Sequence, residues 1–291
     1  MGNKTRFNIA KPDIIKYFND IDKKVFSRED IGSILSKNRA FWRLTKYLTI
    51  EKFTELLLDA TDLKKHKLKF NSFELVRYSW GEIDIVDLAL SLRKKGYLSH
   101  YSALSYHGLT EQVPKTIYIN VEQSKKEIKS NRLLQSQIDK ALASPAKLSN
   151  NYTVYNDQYI YLLNGKHTGA LGVEVNDVKN VRVTDIERTL IDITIRPEYS
   201  GGIYEVLKAY GNASQDVSIN KLVSYLKKLN YSYPYHQCIG FFMMASGKYR
   251  DSQLQLVRQI DMPLKFYLTH GIEKKVFSKE WNLYYPANFP L

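Results

Sequence analysis

Apolar residues recur at helical spacing in several short runs near the start of this chain. In KPDIIKYFND (11–20), Ile14, Ile15 and Phe18 fall on one side and Pro12 suits a first turn, which predicts a short helix. The next start is written more fully. Ser27 and Asp30 have the spacing of a capping box, in which each satisfies a backbone N–H of the other. Phe26 before the cap and Ile31 beyond it are placed for a hydrophobic staple, with Ile31, Ile34 and Leu35 on one face. Thr49 heads another helix, whose core face is Ile50, Phe53, Leu56, Leu57 and Ala60. KKHKLKF and SFELVRYSW then change to β-like runs, joined around Asn71-Ser72. Three helices followed by a two-stranded ribbon is the order of a winged helix-turn-helix.

After Trp80-Gly81 the acidic run EIDIVD marks a change, and a new α/β pattern begins. The expected domains are therefore 1–80 and 81–291. Helix 84–94 leads to Ser99, an N-cap for helix 100–107, which stops at Gly108. Lys115–Glu122 is a strand by β-branched content and alternation. Residues 125–141 read as helix, and 152–163 as a hairpin turning at Asn156-Asp157. A Gly-rich turn, GKHTG, leads to a further strand. Thr184 and Glu187 form a second capping box, opening a helix that stops before Pro197. Helices near 200–211, 218–229 (capped by Ser218) and 251–260 follow. The expected fold class is α+β: an N-terminal winged helix followed by a mixed α/β domain.

Charge sharpens the picture of the first part. The chain of 291 residues carries 43 Lys/Arg against 30 Asp/Glu, a net +13, which favours anionic partners. Residues 1–80 hold 17 of those cations against 10 acids, so about half the excess sits in roughly a quarter of the chain. The segment 37–48, KNRAFWRLTKYL, interleaves cations with aromatics. The candidate DNA contacts are Arg28, Arg39, Arg43, Lys46, Thr49 and Lys52 around the third helix. Lys64, Lys65, Lys67 and Lys69 lie on or beside the wing. Glu51, Glu55 and Asp59 on the solvent face of helix 50–60 would repel phosphates, which puts the weight on the loop before that helix and on its first turn.

Other chemistry is less well supported. The lone cysteine, Cys238, excludes an internal disulfide and fits a reducing compartment. No run approaches the roughly 18 apolar residues of a membrane span, and the N-terminus lacks a signal-peptide core, so a cytoplasmic protein without a membrane partner is expected. The six histidines form no metal-ligand spacing; His100 and His107 read as packing residues, and neither metal nor cofactor is expected. A metal-dependent nuclease needs carboxylates and a lysine around one phosphate. Asp177, Asp185, Glu187 and Asp192 supply acids near the strand GALGVEV, but EVNDVK has the wrong order. Arg188 is placed to bridge carboxylates. No nucleophile motif or phosphate loop is present, and a non-enzyme is expected.

Five segments taken together resemble the AbiEi family of abortive-infection toxin–antitoxin systems, termed type IV. They are FSREDIGSIL, YLSHYSALSYHGLTEQVPKTIYINVEQ, LLNGKHTGALGV, VRVTDIERTLIDITIRPEYSGG and YPYHQCIGFF, in order from about residue 25 to 245. The resemblance implies an N-terminal winged helix that binds inverted repeats in the operon promoter and represses it. It implies a C-terminal antitoxin domain counteracting a nucleotidyltransferase-like toxin in phage defence. No catalytic residues come with it. A homodimer would match a palindromic operator. The link 37–48 is longer and more basic than a minimal winged helix needs. The alternatives are a metal-dependent nuclease of a defence locus and a protein-binding module without DNA affinity.

Overall fold

The apolar stripe of the first helix begins before Pro12. Phe7, Ala10, Ile14 and Phe18 are all buried and follow one another at helical spacing. In the computed structural model, which describes residues 2–125, 133–176 and 181–291, helix α1 therefore spans Asn3–Asp20, and Pro12 lies inside it instead of in its first turn. Strand β1 (Val25–Phe26) follows, then α2 (Arg28–Asn38) and α3 (Ile50–Ala60). Strands β2 (Leu63–Lys69) and β3 (Glu74–Trp80) pair antiparallel in full register, Leu63 opposite Trp80 and Lys69 opposite Glu74. The ribbon is joined on its other side by β1, giving a three-stranded sheet of order β1-β3-β2. A run of two residues is too short to stand out from the sequence.

Both helix starts form as their sequences specify. Asp30 N donates to Ser27 Oγ at 3.1 Å, and Ser27 N donates to Asp30 Oδ2 at 2.7 Å. Thr49 Oγ1 accepts from Lys52 N at 3.2 Å. Phe26 and Ile31, the expected staple, are both fully buried. Around them Phe18 stacks on Trp80 with centroids 4.6 Å apart, and Trp42 stacks on Phe53 at 6.0 Å. Aromatic pairs of this kind add about 0.5–1.5 kcal/mol beyond their burial.

Packing divides the chain into two units, residues 1–96 with 151–157, and residues 97–150 with 158–291. The composition change near residue 81 and the change of packing after Gly96 thus fall at different places. Helix α4 (Ile85–Ser91) belongs to the first unit, tied there by Arg77, whose Nε and Nη2 donate to Ser91 O at 3.1 and 3.0 Å. It ends three residues short of the expected 94.

The second unit contains β4 (Tyr97–Leu98), α5 (His100–Tyr106), β5 (Thr116–Glu122) and α6 (Gln135–Ala143). Most of the expected helix over 125–141 lies outside the described residues or in α6. Strand β6 (Tyr152–Tyr155) belongs to the first unit, and the chain turns at Asn156-Asp157, both at positive φ, into β7 (Gln158–Gly165) of the second. Strands β8 (Val173–Asn176) and β9 (Val181–Thr184) complete the order β7-β5-β4-β9-β8, with β5 parallel to β7 and β4 parallel to β9. Helices α7 (Ile186–Ile195), α8 (Ile203–Asn212), α9 (Ile219–Leu229), α10 (Tyr235–Ala245) and α11 (Asp251–Arg258) build the remainder. They are followed by a small sheet of β10 (Phe266–Tyr267), β11 (Lys275–Ser278) and β12 (Leu283–Pro286).

Two expected caps are filled differently. Asp185, not Thr184, heads α7: its Oδ1 accepts from Arg188 N at 2.7 Å, while Thr184 Oγ1 meets Thr189 Oγ1. Ser99 precedes α5 without capping it, because its hydroxyl turns to His100 Nδ1 at 2.9 Å. No helix among the described residues is long and apolar enough to cross a membrane. The molecule is a mixed α/β protein with several sheets.

Candidate nucleic-acid interface

The connection between α2 and α3 is a built loop. Trp42, Leu44 and Leu48 point inward and are buried, while Phe41, Arg43, Lys46 and Tyr47 are not. Arg39, half-buried, closes it by donating to Thr45 O at 2.5 Å and Leu48 O at 3.0 Å. Arg43 sits at φ 51, a conformation that costs a non-glycine residue about 1–3 kcal/mol unless the surroundings impose it. The anchors on either side impose it here, and the guanidinium is presented to solvent. Lys46 Nζ lies 5.2 Å from the Tyr47 ring centroid. Phe41 is 73% exposed and Tyr47 77%, large apolar groups left outside a loop that buries three neighbours.

The acids on the solvent face of α3 are largely neutralised locally. Arg28, at the start of α2, pairs with Glu51, and Lys52 pairs with Glu55 at 3.0 Å. These pairs answer the expected repulsion, and they also occupy Arg28 and Lys52. Thr49 likewise spends its hydroxyl on the α3 cap.

Alternation decides the ribbon. Lys65, Lys67 and Lys69 are exposed at every second position of β2, whereas His66 and Leu68 face inward and are buried. His66 pins this register: Nε2 lies 2.8 Å from Ser79 Oγ and Nδ1 2.7 Å from Tyr155 Oη. Burial, with the nearby Lys64 charge, lowers its pKa, so a neutral imidazole holds both partners. Lys64 pairs with Glu82. Of the ten candidate residues, Arg43, Lys46, Lys65, Lys67 and Lys69 are exposed cations that form no ion pair with a described carboxylate, and these are the candidates left to meet an external anion. The buried neighbours and the positive φ that present Arg43 were not visible in the sequence; only the interleaving of cations and aromatics was.

Among the acids weighed for nuclease chemistry, Asp185, Glu187 and Asp192 each face a cation. Arg188 Nε donates to Asp192 Oδ1 at 2.8 Å, both side chains buried, and Nη1 donates to Leu171 O at 2.8 Å. Lys221 Nζ lies 3.1 Å from Asp185 Oδ2 and 3.0 Å from Glu187 Oε2. Glu122 at the end of β5 accepts from Thr168 N and Ala170 N, holding the GKHTG turn. Burial raises its pKa, but these hydrogen bonds and Arg188 lower it further, so the net is downward. Asp177 lies outside the described residues. His107 Nε2 is 2.6 Å from Thr184 O, and His100, buried against Tyr118 and Tyr199, is driven down to about 4 chiefly by burial. Among the described residues no three His, Cys, Asp or Glu side chains gather as a metal site.

No family model matches the chain, and no curated protein matches it. Among solved structures, the RV2827C protein from Mycobacterium tuberculosis is similar, with a TM-score of 0.61 at 12% identity over 95% of this chain and 91% of that one. At that identity the likeness shows the fold alone.

Proposed function

We propose that this protein is a DNA-binding regulator, a winged helix whose third helix is α3 and whose wing is the β2–β3 ribbon, joined to an antitoxin domain. The observation that carries the DNA reading is the set of carboxylate-free cations on the 39–48 loop and along β2. Cations of this kind neutralise phosphates and release counterions, which gives affinity that falls with salt. The loop and the first turn of α3 supply the groove-facing part, and the β2 lysines track the backbone.

The rest of the reading leans on the five segments that resemble AbiEi antitoxins. On that basis the target is the inverted repeats of the protein's own promoter, bound as a homodimer, and residues 81–291 counteract a nucleotidyltransferase-like toxin in the cytoplasm. The reading assigns no enzyme activity, metal or cofactor.

The test is titration of the full chain with DNA from its own upstream region and with unrelated DNA, at two salt concentrations. The expected result is preference for the upstream DNA and a steep loss of affinity with salt. Absence of binding to either DNA at low salt would sink the DNA reading and favour a winged helix that contacts protein.

A further inference from the structure

The second unit holds a cavity of about 200 Å³ between the end of α7, the start of α10 and β10. Its walls include Arg196, Tyr233, Tyr235, Phe266, Thr269 and His270. We propose that it binds a small aromatic anion, one ring carrying a carboxylate or a phosphate.

The wall that carries Thr269 and His270 is fixed by bonds to the end of α6. Gly271 N donates to Leu142 O at 2.8 Å, and His270 Nδ1 lies 3.2 Å from Ser144 O, which hold the 268–271 segment to the end of α6. Tyr267 Oη donates to Asp139 Oδ1 at 3.0 Å, so that carboxylate is already occupied. Tyr233, Tyr235 and Phe266 form a ring cluster with centroids 5.4–6.0 Å apart, the spacing of aromatic packing, which offers a further ring a ready apolar wall.

Among the described residues, Arg196 is the one Lys, Arg, Asp or Glu side chain lining the cavity. Arg196 is exposed and, among the described residues, pairs with no carboxylate. The Tyr233, Tyr235 and Thr269 hydroxyls can turn their O–H groups to an anion, and the Arg196 guanidinium is a fork suited to a planar or tetrahedral oxyanion. Burial pushes the Tyr235 phenol and the Cys238 thiol well above their ordinary values, so neither adds negative charge. An apolar recess with a few convergent polar groups is the usual form of a small-molecule site. A volume of this size admits one small ring with its acid group or a handful of waters, not an extended chain.

The experiment titrates the full chain at constant ionic strength with benzoate, phenyl phosphate, benzyl alcohol and inorganic phosphate, followed by calorimetry. Benzoate or phenyl phosphate should bind at least about tenfold tighter than benzyl alcohol, the loss expected when a charged hydrogen-bonding partner is removed. The better of the two identifies the acid group. Arg196→Gln, an exposed position, should unfold at the wild-type temperature and bind the anions at least about tenfold more weakly. Inorganic phosphate binding as tightly as phenyl phosphate would remove the ring and overturn the proposal. Equal affinity for benzyl alcohol and benzoate, no binding at millimolar concentration, or an unchanged affinity in Arg196→Gln would overturn it as well.

Discussion

Arg39 reaches back across its own loop to Leu48, donating to that carbonyl at 3.0 Å. Charge patterning assigns this guanidinium to a phosphate, but the fold gives it two backbone carbonyls. The loop 39–48 is held by this side chain and by three buried apolar anchors, and Arg43 is the arginine it presents.

Arg39→Ala is expected to lower the unfolding free energy of the first unit by about 1.5–3 kcal/mol, the range for hydrogen bonds to a charged group. Arg39→Lys should recover only part, because a point charge cannot reach both carbonyls as a fork does. Urea unfolding read by tryptophan fluorescence checks this, since Trp42 and Trp80 are buried in that unit. A wild-type midpoint in Arg39→Ala would mean that the loop stands without it.

Replacing Lys65, Lys67 and Lys69 together by Gln should weaken DNA binding and flatten its salt dependence, by about 0.9 in log–log slope for each phosphate that is no longer neutralised. Folding should be almost unaffected, since exposed substitutions away from special features change stability by about 0.5 kcal/mol or less. Glu51→Gln should do the opposite to affinity, because it removes an acid from α3 and frees Arg28. Affinity measured across a salt series separates the two effects. An unchanged slope in the triple variant would place the DNA surface elsewhere.

Acid should weaken the α2 start through Asp30. Burial raises the pKa of this carboxyl, but hydrogen bonds from Lys23 and Ser27 and the Lys23 charge lower it further, leaving the net below the ordinary carboxylate value. A folded-state pKa depressed in this way contributes stability above the unfolded value, and the contribution is lost as pH falls through the folded one. Asp30→Asn should therefore be less stable than wild type at neutral pH and approach it in acid. Thermal unfolding from about pH 7 to about pH 3 reads the gap. A constant difference across that range would assign the loss to packing instead of charge.

Asp192→Asn or Arg188→Met should cost about 3–5 kcal/mol, the usual penalty for leaving one member of a buried ion pair alone. Denaturant unfolding of the second unit checks the figure, with Trp281 as its buried reporter. A loss well under about 1 kcal/mol would show that the remaining partner finds solvent, and that the pair is dispensable to the fold.

Gly240→Ala tests the packing of α10. An added Cβ would lie 2.0 Å from Trp281 Cζ3, against an indole that is fully buried. Overpacking of this kind costs about 1–3 kcal/mol, or more where the ring cannot move. The variant should unfold earlier, with a changed near-ultraviolet tryptophan signal.

Elements whose causes are local could be read along the chain. The Ser27–Asp30 box, the Thr49 cap, the hairpin at Asn156-Asp157 and the two β-like runs of the ribbon follow from side chains within a few residues of the backbone they serve. They were legible for that reason. Tertiary structure decided the rest. The start of α1 depends on Phe7 finding a core, and β1 exists because β3 offers an edge to two residues. Asp185 displaced Thr184 at the head of α7, where Tyr225 and Lys221 also reach its carboxylate from α9. The candidate interface divides in the same way. Its cations can be counted along the chain, but which ones remain free depends on where the acids and carbonyls come to rest: Glu51 beside Arg28, Glu82 beside Lys64, and the Thr45 and Leu48 carbonyls under Arg39.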